Sequence, residues 1–272
     1  MREFSESYLE RTREGMWDDS REALEPLALE TRSRILDVGC GTGELSRVLR
    51  EEAGDDATVV GCDADLDLLA AAADRDSAGN SIPLVAGDAL RLPFPDDTFD
   101  LVVCQALLIN LPDPAAALEE FARVSTDLVA AVEPDNAAVE IDSSVESEGR
   151  LERRARRAYL AGVSTDVALG ADAREAFEQA GLEVCETQRY DHVRTVGPPY
   201  SEGALVAARR KATGAGLADD RETMLSGALT ESAYDDLRSA WRKMGRTVIE
   251  QMESQEYRRE EAVPFFVVTG HV

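Results

Sequence analysis

The stretch 35-ILDVGCGTGELSRVL-49 decides the fold, because it joins two kinds of regular structure through three glycines. The apolar run at 35–38 predicts a short buried strand, and apolar residues at 45, 48 and 49 recur at the spacing of a helix face. Gly39, Gly41 and Gly43 lie between them. Glycine permits left-handed backbone and close ligand approach, while a helix N-terminus offers unpaired N–H groups. The stretch therefore predicts a strand, a tight turn and a helix around a polar or anionic ligand.

The glycine spacing does not match the two common phosphate-binding loops. A P-loop ends in Gly-Lys-Ser/Thr, but Glu44 and Leu45 follow Gly43. A dinucleotide fingerprint places its third glycine three residues after Gly41, where Glu44 stands. A ligand end with a carboxylate and an amine is favoured over a pyrophosphate.

Strand-like and helix-like runs alternate through the first half of the chain. The strand-like runs are 34–38, 57–62, 82–86, 99–104 and 127–133, and the helix-like runs are 43–53, 65–75 and 113–125. Such alternation predicts an α/β fold with a parallel sheet covered by helices on both faces. Ligands of such sheets bind beyond the carboxyl ends of the strands.

The composition is strongly acidic. The 272 residues carry a formal net charge of -25, and the only lysines are Lys211 and Lys243. Such a surface repels phosphates, so no nucleic acid partner is expected. Scarce lysine among many carboxylates favours a halophilic protein over an ordinary acidic one. In a halophilic protein, molar salt screens the repulsion between the surface carboxylates.

The four cysteines, Cys40, Cys62, Cys104 and Cys185, form no Cys-x-x-Cys pair and are expected to be buried small hydrophobes in a reducing compartment. The charged N-terminus predicts no secretory signal, and no apolar run reaches the length of a membrane span. A cytoplasmic protein without a metal site is expected.

Polar or small residues follow three of the strand-like runs, in the loops where a ligand is expected. Asp63 lies about twenty residues beyond the glycines, where a carboxylate accepts hydrogen bonds from a ribose diol. Asp88 and Ala89 follow the third run, in position to contact an adenine edge, and Gln105 and Ala106 follow the fourth.

Together, "ILDVGCGTGEL", Asp63, "GDALRLPFPDDTFDLVV" and "LLINLPDP" resemble the class I S-adenosylmethionine-dependent methyltransferases, particularly the small-molecule and quinone methyltransferase group. The resemblance covers residues 31–133. It implies a seven-stranded Rossmann-like sheet of order 3-2-1-4-5-7-6, with the last strand antiparallel and a helical cap. It also implies that the cofactor S-adenosyl-L-methionine is bound by Asp37, Gly39, Gly41, Gly43, Asp63, Ala64, Asp88, Ala89, Gln105 and Ala106.

The candidate catalytic residues are few. Where relatives often carry histidines, this chain has Ile109 and Asn110. Catalysis is therefore expected to depend mainly on proximity and in-line orientation. His192 and Glu133 are the candidates to act on the acceptor, with a structural role as the alternative for each.

The domain prediction has four parts: an N-terminal helical cap at 1–30, the cofactor-binding core at 31–196, a helical insertion acting as a substrate lid at 197–261, and the final strand at 262–272. The predicted substrate-binding residues are Tyr8, Trp17, Asn110, Tyr200 and Trp241.

Three functions remain open from the sequence. The first is methyl transfer to a small-molecule or lipid-like acceptor, which includes a quinone ring carbon. The second is a cofactor-binding protein without catalysis. The third, a nicotinamide oxidoreductase, lacks both the fingerprint glycine and a Tyr-x-x-x-Lys pair, because Ala207 and Ser239 precede the two lysines by four. The oligomeric state is not determined by these patterns.

Overall fold

The structure is a computed structural model that describes residues 16–17, 21–75, 82–227 and 229–272. It divides into two compact units. The first contains residues 1–135, 168–190 and 264–272, and the second contains residues 136–167 and 191–263.

The chain contains eight described strands and nine described α-helices. The strands are β1 Arg34–Val38, β2 Thr58–Asp63, β3 Leu84–Ala86, β4 Phe99–Gln105, β5 Ser125–Pro134, β6 Glu140–Ser143, β7 Glu183–Val196 and β8 Arg259–His271. The helices are α1 Glu44–Glu52, α2 Leu66–Arg75, α3 Pro114–Val124, α4 Glu148–Leu160, α5 Ala173–Gln179, α6 Glu202–Thr213, α7 Ala215–Asp219, α8 Arg221–Ser226 and α9 Glu231–Glu253.

The sheet has the order β3-β2-β1-β4-β5-β8-β6, and β7 also pairs with β8. The first five strands in this order are parallel, and β8 runs antiparallel to β5. β7 and β8 are the predicted sixth and seventh strands, so the predicted Rossmann-like order is confirmed. β6 is an additional strand: it pairs antiparallel with residues 259–262 of β8.

The parallel register brings the predicted ligand-binding loops to one edge of the sheet. Val38 pairs with Cys62 and with Cys104, and Asp63 pairs with Ala86. The carboxyl ends of β1, β2, β3 and β4 therefore lie side by side. β1 and β4 are almost completely buried, as expected of central strands covered on both faces.

The second unit is mainly helical and has its own apolar core. The predicted apolar stripe of α9 is buried: it comprises Tyr234, Leu237, Trp241, Met244, Val248 and Met252. Gly245 lies on the same helix, where a Cβ would stand 2.3 Å from the Ala212 nitrogen of α6. Glycine therefore lets these two helices approach closely.

The boundaries of the second unit differ from the predicted insertion. Besides residues 197–261, this unit includes residues 136–167, which contain β6 and α4. Residues 191–196 and 262–263 also belong to it. The role of residues 197–261 as a lid stays a prediction.

A buried network of charges lies in the second unit. The fully buried Glu148 accepts hydrogen bonds from Lys211 and from the Tyr257 hydroxyl, the latter at 3.1 Å. Glu261 pairs with Arg194 and lies 3.2 Å from Arg259. Burial alone raises the pKa of Glu261, but these arginines outweigh it and hold the pKa at about 2.

One of the four cysteine predictions is wrong. Cys40, Cys62 and Cys104 are buried, but Cys185 is exposed on β7. The side chains at 183, 185, 189 and 191 of this strand all face solvent, so Cys185 lies on its outward face.

Within the described ranges, no helix has both the length and the apolar character needed to cross a bilayer.

Candidate functional site

The glycine loop after β1 adopts the left-handed backbone that its sequence predicts. Gly39, Gly41 and Gly43 have φ values of +71°, +55° and +78°. The Gly39 amide donates to the Cys62 carbonyl of β2 at 2.7 Å, which ties the turn to the neighbouring strand. A Cβ at Gly39 would lie 2.9 Å from Leu107 Cδ1. The loops after β1 and β4 therefore approach each other at a point that only glycine accommodates without a shift.

Asp63 joins the glycine loop to the end of β2. Its Oδ2 accepts the Gly41 amide at 2.8 Å, and its Oδ1 accepts the Asp65 amide at 2.9 Å. A carboxylate has about four lone-pair positions, so acceptor capacity remains after these two bonds. The carboxylate is therefore fixed in orientation and is still able to accept hydrogen bonds from a diol.

Two hydroxyl side chains belong to the same loop and the helix that follows it. Ser46 of α1 donates to Oδ2 of the buried Asp37 at 2.5 Å. Thr42 is completely buried, and its hydroxyl oxygen has no hydrogen-bond partner among the described residues. Leaving a buried hydroxyl without a partner costs about 1–3 kcal/mol. Any acceptor or donor that reaches this hydroxyl would relieve that cost.

The remaining predicted cofactor residues lie at the same sheet edge. Asp88 is exposed and its Oδ1 accepts the Leu90 amide at 3.0 Å, whereas Ala89 is buried. Ala64 is exposed after β2. Ala106 has φ +50°, which is rare for a residue with a Cβ, and its amide donates to the Val132 carbonyl at 2.9 Å. The sequence prediction thus names residues that the fold places along one edge.

Glu133 holds the loop after β4. The carboxylate is completely buried, and its Oε1 accepts the amides of Leu107 and Leu108 at 3.0 and 2.9 Å. Its Oε2 accepts the Ile109 amide at 3.3 Å. Through these contacts, Glu133 positions the loop. Its carboxylate is therefore not at a solvated strand end. A direct role toward the acceptor stays a prediction.

His192 lies in the second unit and is buried. Burial and the nearby Arg194 lower the pKa of its imidazole, although Glu261 opposes this shift. A lowered pKa favours the neutral ring at neutral pH, which is the form that accepts a proton. Its catalytic role stays a prediction.

The predicted substrate-binding residues fall in both units. Trp17 and Asn110 belong to the first unit and are buried, and the Asn110 amide nitrogen donates to the Ala106 carbonyl at 2.8 Å. Tyr200 and Trp241 belong to the second unit, where both pack in its apolar cluster. Tyr8 lies outside the described residues.

Sequence reasoning did not identify Tyr190, Thr42 or Ser46. The Tyr190 hydroxyl donates to the Met16 carbonyl at 2.9 Å, across a separation of 174 residues that no local pattern reveals. Thr42 could have been found, since it lies between two glycines of the quoted stretch.

Comparison with known proteins agrees with this geometry. The family described as "Methyltransferase domain" matches residues 36–127. A demethylmenaquinone methyltransferase from Bacillus licheniformis is 40% identical over 89 residues, covering 33% of this chain and 38% of the relative. The chain spans about two fifths of the length of the curated relatives it matches.

Two solved structures share the fold over more of the chain. A Haloferax volcanii protein in a complex with the Trm112 methyltransferase activator has a TM-score of 0.55 at 19% identity, covering 98% of this chain and 94% of that one. A SAM-dependent methyltransferase from Aquifex aeolicus has a TM-score of 0.51 at 17% identity, covering 68% and 92%. Residues 36–127 thus match a methyltransferase domain, and the order of the sheet that contains them is the one expected of the class I S-adenosylmethionine-dependent methyltransferases.

Proposed function

We propose that this protein is a methyltransferase that uses S-adenosyl-L-methionine to methylate a small or lipid-like acceptor. The observation that carries the proposal is the joined pair of loops after β1 and β2. There, the loop with three left-handed glycines and the buried Thr42 hydroxyl is joined to the Asp63 carboxylate through the Gly41 amide. These groups suit a ligand with an amino-acid end and a ribose diol and no phosphate.

The residues of the first unit would bind the cofactor in sections. Gly39, Gly41 and Gly43 present backbone groups to the methionine end, Asp63 accepts the ribose hydroxyls, and Asp88 with Ala89 contacts the adenine. When bound, S-adenosyl-L-methionine supplies a methyl group activated by a sulfonium sulfur. The protein then needs mainly to align the acceptor and to exclude water, and alignment alone contributes several kcal/mol.

A quinone or quinol ring is the acceptor class that we favour. The relative from Bacillus licheniformis and a second one from Corynebacterium kroppenstedtii, which is 41% identical over 105 residues, are both named demethylmenaquinone methyltransferase. Their similarity covers 33% and 39% of this chain, so it supports the acceptor class less directly than it supports the cofactor.

Isothermal titration calorimetry with S-adenosylhomocysteine tests the proposal. The Asp63→Ala variant loses the charge-assisted bonds to the ribose, so its affinity should fall about 10- to 100-fold, equal to about 1.4–2.8 kcal/mol. Asp67→Ala is the matched control, since Asp67 is an exposed carboxylate on the adjacent α2. Wild-type affinity in Asp63→Ala, or tighter binding of NAD than of S-adenosylhomocysteine by the native protein, would refute the proposal.

A further inference from the structure

A two-residue segment before the core, Met16 and Trp17, is fixed by contacts with two distant strands. Met16 is almost fully buried, and its sulfur accepts a hydrogen bond from Gln105 Nε2 at 2.8 Å. The carbonyl of the same residue accepts the Tyr190 hydroxyl at 2.9 Å. Gln105 is the last residue of β4, and Tyr190 lies on β7.

Trp17 stacks on Tyr190 and keeps a polar atom without a partner. The two rings are nearly parallel, at an interplanar angle of 7°, and their centroids are 6.1 Å apart. Trp17 is only 6% exposed, and its indole Nε1 has no hydrogen-bond partner among the described residues. A buried tryptophan N–H usually finds a partner, because leaving it unpaired is costly. The indole N–H is therefore a donor available to any hydrogen-bond acceptor that reaches it.

The aromatic pair belongs to the same sheet edge as the proposed cofactor loops. Gln105 donates to Met16, the residue next to Trp17, and directly follows Cys104 on β4. Cys104 pairs with Val38, the last residue of β1 before the glycine loop. The indole N–H is a donor only, so it cannot bind a protonated amine. A flat aromatic surface with one donor suits a planar ring that carries an oxygen.

We propose that Trp17 and Tyr190 form one wall of the acceptor site, and that the Trp17 indole N–H donates a hydrogen bond to a ring oxygen of a planar acceptor such as a quinol or phenol. This inference rests on the proposed methyltransferase function and deepens it. Tyr190 acts as a positioning residue, because its hydroxyl holds the backbone of residue 16 and its ring supports the indole.

The test measures binding of two ring probes to the protein loaded with S-adenosylhomocysteine in molar KCl. 1-Naphthol carries a ring oxygen, whereas 1-methylnaphthalene has nearly the same shape without one. Trp17→Phe keeps an aromatic ring but removes the N–H, so 1-naphthol should bind about tenfold more weakly, as expected for one lost hydrogen bond. Binding of 1-methylnaphthalene and of S-adenosylhomocysteine should change less than twofold.

The hydroxyl of Tyr190 has a matched control. Tyr190→Phe and Tyr234→Phe each remove a hydroxyl that donates to a main-chain carbonyl at 2.9 Å, but Tyr234 bonds to Leu217 in the second unit. Only the change at residue 190 should weaken 1-naphthol binding, by about threefold.

The possible failures are distinguishable. If native protein does not bind S-adenosylhomocysteine, the proposed function fails. If it binds S-adenosylhomocysteine but not 1-naphthol, or if Trp17→Phe weakens both probes equally or neither, the inference about the acceptor wall is overturned while the proposed function stands.

Discussion

Glu133 offers the sharpest test of how the site is built, because its buried carboxylate serves three backbone amides at 2.9–3.3 Å. Glu133→Ala leaves the amides of Leu107, Leu108 and Ile109 without this acceptor, and the last two residues are buried. At about 1–3 kcal/mol for each of these two buried amides, the free energy of unfolding should fall by about 2–6 kcal/mol. Glu133→Gln can keep both bonds to Oε1 but turns an NH₂ group toward Ile109, so about 1–3 kcal/mol should be lost.

Urea unfolding followed by circular dichroism, at one fixed KCl concentration, measures these differences. Glu119→Gln on α3 is the control, since Glu119 is exposed, and it should change stability by less than about 0.5 kcal/mol. The reasoning is refuted if both Glu133 variants match this control. A direct role in the reaction would instead show as a Gln variant of native stability and unchanged cofactor affinity that has lost its turnover.

Three further predictions concern pH, salt and the second unit. Because the pKa of Glu261 is held at about 2, against 4.5 for an unperturbed glutamate, its stabilisation of about 3 kcal/mol is present above pH 5 and is lost as the pH falls toward 2. Acid titrations of thermal stability should therefore be flatter for Glu261→Gln than for the native protein, and parallel curves would contradict this assignment. The net charge of -25 predicts a melting temperature that rises steeply from millimolar to molar KCl, and a flat response would show another cause for the acidic composition. If residues 197–261 act as a lid, limited proteolysis near Gly214 to Asp220 should slow when cofactor and acceptor are both bound. A cleavage rate that neither ligand changes would contradict the lid.

Local sequence patterns predicted the elements whose structure depends on near neighbours in the chain. The spacing of Gly39, Gly41 and Gly43 predicted a strand-turn-helix unit, and the alternating runs predicted the parallel sheet. The stripe on α9 was predicted to form one apolar face and is buried. In each case the periodicity of a single segment carries the information.

The features that were missed depend on contacts between distant segments. The role of Glu133 can be predicted only if the path of the loop 25 residues before it is known. Tyr190 contacts Met16 across a separation of 174 residues. β6 has only four residues and alternates exposed with half-buried positions, so no apolar run marks it. Cys185 was predicted to be buried because it lies in a strand-like run, but β7 is exposed along one face.

A crystal structure of the protein with S-adenosylhomocysteine tests the central claim most directly. The account predicts the amino-acid end of the ligand against the backbone of Gly39 to Gly43, with the ribose hydroxyls within hydrogen-bond distance of the Asp63 carboxylate. The adenine should lie beside Asp88 and Ala89. A ligand bound elsewhere, or a ribose that does not contact Asp63, would contradict the assignment of this sheet edge as the cofactor site.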